Sequence, residues 1–109
     1  MKVKSNKTGL RPLGQAVLVE PYEPEREVKS QIIEIPVSAR ERMTMAETRA
    51  IVIDVGPEAW KDEKQPRAKI GDKVMVSAYA GTMTKSPVNG KQYRVINARD
   101  IFLRITHEM

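Results

Sequence analysis

Five or six short runs of β-branched and aliphatic residues, separated by Gly, Pro and Asn turns, set the limits on what this chain can fold into. Leu13 to Glu20, with Ala16-Val17-Leu18-Val19 at its centre, is stopped by Pro21, and Ile51 to Val55 ends at Gly56-Pro57. Gly71-Asp72 turns into Lys73-Val74-Met75-Val76. Thr82 to Val88 and Gln92 to Ile96 flank Asn89-Gly90, the strongest short hairpin signal in the chain. Ile101 to Ile105 is the last run, and strict alternation places Ile101, Leu103 and Ile105 on one face. Ser38 to Arg49 has helical propensity but carries charges where an apolar stripe would be needed. The pattern predicts an all-β domain, a small barrel or sandwich.

The longest interval between these runs, residues 21–50, is the second constraint. Structureless loops beyond about 12–15 residues are uncommon in compact domains and are usually functional or disordered. The flanks of this interval are charged and proline-marked, yet Ile32, Ile33, Ile35 and Val37 form an apolar cluster in its middle. A solvated loop gains nothing from such a cluster. One reading makes Gln31 to Val37 a further strand, which Pro36 would confine to a sheet edge. The other makes it bait on a tether. Extended backbone would then turn Ile33, Ile35 and Val37 one way and Ile32, Glu34 and Pro36 the other, offering three apolar side chains to a partner groove.

Composition narrows the function. At 109 residues the chain is expected to be one domain with a modest core, for which oligomerisation is a natural supplement. It has no cysteine and a single histidine, His107, so thiolate or histidine metal sites and histidine-based triads have almost no raw material. The glycines are dispersed with no phosphate-binding pattern, and acid pairs such as Asp62-Glu63 sit in polar loop context. No enzymatic activity, metal or cofactor is expected. Neither a signal peptide nor an 18-residue apolar stretch is present, so a soluble, cytoplasmic protein is expected, with no membrane partner.

The net charge of +5 invites a nucleic-acid reading, but Lys2, Lys4, Lys7 and Arg11 account for +4 of it within the first eleven residues. Residues 1–10 therefore read as a basic, solvated tail. The five aromatics (Tyr22, Trp60, Tyr79, Tyr93, Phe102) are scattered, unlike the stacking surfaces of single-strand binders. A small nucleic-acid-binding barrel and a structural ring or adaptor protein stand as the alternatives.

Arg11-Pro12-Leu13 with Val17-Leu18-Val19, then Lys29 to Ile35, Ile51 to Gly56, Ile70-Gly71-Asp72-Lys73-Val74, Tyr79-Ala80-Gly81-Thr82, Asn89-Gly90 with Tyr93 and Val95, and Asp100 to Leu103 follow one another in an order that resembles the GroES-type co-chaperonin (chaperonin-10) family. The resemblance runs from Arg11 through nearly the whole chain. It implies a small, partly open β-barrel over residues 11–109, with a long mobile loop at about 21–50 and a roof loop at about 57–69. It implies a seven-membered dome that caps an ATP-dependent, GroEL-type chaperonin ring and encloses a non-native substrate protein, the cap itself doing no bond chemistry.

Carried over residue by residue, Ile32, Ile33, Ile35 and Val37 fall at the chaperonin-binding tripeptide and its surroundings. The first strand (Leu13, Val17, Val19) would pair with the last strand (Ile101, Leu103, Ile105) of a neighbouring subunit, which would cover two otherwise open edges. The chain differs from the family in having Lys29-Ser30-Gln31 where glycines usually precede the tripeptide, and in Glu34, which interrupts it. Its loop is also longer, and the roof interval lacks a hairpin turn. These departures suit a divergent, for instance virus-encoded, member. Trp60 either packs beneath the dome or faces the chamber, and Met43 and Met45 either add an apolar contact or stay solvated.

Overall fold

The computed structural model describes residues 7–22 and 48–107. Ile32, Ile33, Ile35 and Val37, with the stretch Ser38 to Glu47, lie outside the described residues. The rest forms six strands, β1 (Ala16–Pro21), β2 (Arg49–Val55), β3 (Lys73–Val76), β4 (Thr82–Lys85), β5 (Gln92–Asn97) and β6 (Ile101–Ile105), with one 3-10 turn at Ala98–Asp100 before β6. They make a single antiparallel sheet in the order β4-β5-β1-β2-β3-β6. The fold is all-β as expected. β4 and β6 are not bonded to each other, so the sheet remains open and does not close into a barrel.

The expected strands form, with shifts in their bounds and register. β1 starts at Ala16 because the Ala16 N–H turns back to the Leu13 carbonyl, which leaves Leu13 in a turn. β4 stops at Lys85: Pro87 cannot extend the ladder, and Ser86 and Lys91 close a loop wider than a two-residue turn. In β6 the register slips between Met75 and Val76 of its partner. The slip breaks the two-residue alternation, so Ile101 is buried while Leu103 is 49% exposed. Ile101, Leu103 and Ile105 therefore do not share one buried face.

Registers Val17↔Ile96 and Val19↔Arg94 place those four residues on one face, and Val52, Val74, Val76 and Ile101 join Val17, Val19 and Ile96 in the core. Arg94 lies on that inner face with no exposed surface. Its Nε donates to the Ala80 carbonyl at 2.8 Å and its Nη2 to the Ser77 carbonyl at 3.0 Å. The segment from Ser77 to Gly81, which carries the chain from β3 to β4, is thus tied to β5 from inside.

The interval 57–69 contains turns and no strand, in line with its missing hairpin signal. Trp60 is buried in the core at 6% exposure, and its indole N–H donates to the Ala98 carbonyl at 2.9 Å. Trp60 therefore packs against the sheet of its own subunit.

Within the stretch expected as a tail, residues 7–10 are described and contact the rest of the chain. Thr8 and Pro12 are buried. The Ser86 hydroxyl donates to the Thr8 carbonyl at 2.6 Å and accepts from the Val88 and Asn89 N–H groups. A Cβ on Gly9 would touch both Pro87 and Val88, so this segment lies directly on the β4–β5 turn.

Candidate partner-docking site

The two ends of the connection between β1 and β2 are held side by side. Pro21 pairs with Ala50, and the Tyr22 N–H donates to the Arg49 carbonyl at 3.3 Å. The Val76 N–H takes the Thr48 carbonyl at 2.7 Å, and the Lys73 ammonium stands 5.3 Å from the centre of the Tyr22 ring. Backbone bonds, a β3 contact and a cation–π contact therefore fix the root from which residues 23–47 depart and to which they return. The apolar cluster expected to bind a partner falls within that connection.

The second feature is the edge of the sheet at β6. The residues assigned to a subunit interface separate into two groups. Val17, Val19 and Ile101 are buried in this chain's own core, and β1 lies between β5 and β2. The expectation that β1 offers an open edge is corrected: both of its edges are occupied within the chain, because the hairpin-linked β5 returns to its far side. Leu13, 71% exposed in the turn before β1, and Leu103 remain accessible, with Ile105 half-buried. Phe102, which the sequence reading did not select, is 58% exposed beside Leu103. Its signal was its place in a strand that ends a sheet, which the sequence does not reveal.

Val76 uses its N–H toward β2, so its partner Ile101 turns its backbone groups away from β3. The Ile101 N–H goes to the Ala98 carbonyl. The Ile101 carbonyl accepts from Arg67 Nη1 at 2.7 Å, and the same nitrogen reaches the Arg99 carbonyl at 3.3 Å. Glu63 holds Arg67 in place through Nε contacts of 2.9 and 3.0 Å. Arg67 is a second residue that the sequence reading missed; nothing local marks it among the charges of 57–69.

The aromatics do not assemble into a stacking surface. Trp60 and Tyr93 are buried, and Tyr22 is engaged by Lys73. Among the described residues no group of acidic or histidine side chains is arranged to hold a metal ion, and no helix is long and apolar enough to cross a membrane.

An open antiparallel sheet with a clamped loop root and an apolar-flanked edge at β6 defines a small all-β module. The chain belongs to the family described as the chaperonin 10 kDa subunit, whose sequence model matches residues 9–105. It is 40% identical over 94 residues to the co-chaperonin GroES of Acetivibrio thermocellus, covering 84% of this chain and 93% of that protein. The co-chaperonin GroES of Clostridium perfringens is 40% identical over the same share. That of Coprothermobacter proteolyticus is 34% identical over 100 residues, 91% of this chain and 97% of its own.

Proposed function

We infer that this chain is a co-chaperonin: it caps an ATP-dependent chaperonin ring of the GroEL type and closes a chamber around a non-native protein. Membership of the chaperonin 10 kDa family over residues 9–105 carries this reading. The clamped root of the β1–β2 connection supports it, since a bait segment needs fixed ends. The cap works without bond chemistry of its own, because nucleotide hydrolysis belongs to the partner.

In this reading Ile33, Ile35 and Val37, with Ile32 in support, enter a groove on the chaperonin. Three aliphatic side chains bring about 1.5–3 kcal/mol each on burial. Ordering the segment costs about 1–2 kcal/mol per residue in backbone entropy. One loop is therefore a weak ligand, and several on one ring bind tightly by effective concentration while still releasing when the partner changes shape. A heptamer meets this need. Its contact would join the free edge of β6, with Phe102, Leu103 and Ile105, to the segment around Leu13 of the next subunit.

The test is co-migration with a chaperonin ring in the presence of ATP. The unsubstituted chain should co-migrate, and the double substitution Ile33→Asp with Ile35→Asp should abolish this while the sheet stays folded. Retained capping by the double variant would refute the loop assignment. Failure of the unsubstituted chain to bind any such ring would refute the function.

A further inference from the structure

The edge of β6 is open in one direction and closed in the other, and Arg67 draws the boundary. Val76 of β3 donates its N–H to the Thr48 carbonyl beside β2, the carbonyl of Asp72 just before β3 accepts from the Val52 N–H of β2, and Val74 shares their phase. The residues opposite, Ile101 and Arg104, therefore turn their backbone groups to the free side of β6. Arg104 presents its pair to a groove of about 580 Å³, walled by Glu63, Pro66 and Arg67 on one side and by Phe102, Leu103 and Arg104 on the other. At Ile101 the carbonyl is already taken by Arg67 at 2.7 Å, and the N–H by Ala98.

We propose that Arg67, braced by Glu63, is an edge guard: it limits strand addition on β6 to the part beyond Ile101 and so fixes the register of the incoming strand. The incoming strand is a second copy of this chain, and to that extent the inference rests on the ring reading above. The physical case is that an open, apolar-flanked edge accepts strands in more than one register unless something blocks one end. A planar guanidinium suits this task, since one Nη serves two carbonyls while Nε stays on the carboxylate. Both side chains of the pair are about one-third exposed, so the guard can yield locally without unfolding the core.

The experiment compares the intact chain with Arg67→Met and Glu63→Gln by native mass spectrometry and sedimentation across a dilution series. Burial of Trp60 in each variant is checked by its fluorescence. Removing the guard should shift self-association to a roughly five- to tenfold lower concentration, the equivalent of about one recovered backbone hydrogen bond. It should also replace a single assembled species by several. Glu63→Gln should lie between the two, and it carries the test if Arg67→Met does not fold. Unchanged or weaker association in a folded variant overturns the proposal. If the intact chain is monomeric throughout, the ring reading falls. The edge guard then stands if Arg67→Met self-associates and falls if it does not.

Discussion

Arg94 is a long cation wholly inside a small core, and its guanidinium faces the Ala80 and Ser77 carbonyls. Two substitutions separate its charge from its geometry. Arg94→Lys keeps a buried charge but loses the fork that reaches two carbonyls, so it should destabilise by about 3 kcal/mol or more. Arg94→Met removes the charge with the hydrogen bonds and should cost less, about 1–2 kcal/mol, mainly by loosening Ser77 to Gly81. Urea unfolding measures the order of the two, and equal costs would show that the charge itself carries no penalty. A second pair of substitutions tests close approach. A Cβ on Gly81 would overlap the Val95 carbonyl oxygen at a left-handed φ of 75°. Gly71, at φ 97°, has nothing within 4 Å. Gly81→Ala should therefore cost about 3 kcal/mol or more, and Gly71→Ala only about 1–2 kcal/mol of backbone strain.

At the scale of elements, the strand-free interval 57–69 is held by two side chains on carbonyls between β5 and the start of β6. Trp60 takes Ala98, and Arg67 takes Arg99 and Ile101. Trp60 is the sole tryptophan, so its emission should be blue-shifted in the folded chain and move to the red as this interval detaches. Trp60→Ala should cost roughly 3–5 kcal/mol, whereas Trp60→Phe keeps most of the apolar burial and loses about 1 kcal/mol with the indole hydrogen bond. Thermal melts of the two variants check this ordering. The strands themselves were legible in the sequence, since β-branched runs bounded by Gly, Pro and Asn are local signals. The width of the β4–β5 turn and the slip in β6 were not, because each depends on what the partner strand offers.

For the whole molecule, the sheet order decides which surfaces remain for partners. With β1 inside the sheet, the ring proposed above would assemble through the β6 edge and the turn bearing Leu13. A Leu103→Lys substitution sits on that exposed face, away from the core. It should leave the melting temperature of the isolated subunit nearly unchanged and shift ring dissociation to at least tenfold higher concentration, or about 1.4 kcal/mol. Sedimentation measures the shift, and an unaffected ring would move the contact away from β6.

The sequence by itself determined that the chain is all-β, where its turns fall, that a long connection follows the first strand, and that Ile32 to Val37 is its apolar centre. These are properties of neighbouring residues, and periodicity and turn chemistry record them. It could also have pointed to Arg94, which alternates in phase with Ile96 on β5. Tertiary structure alone decided that β1 has no free edge, that Trp60 turns into the core, and that Arg67 covers the Ile101 carbonyl. Each of these joins residues tens of positions apart, and which strand lies beside which is fixed only when all of them compete for the same core.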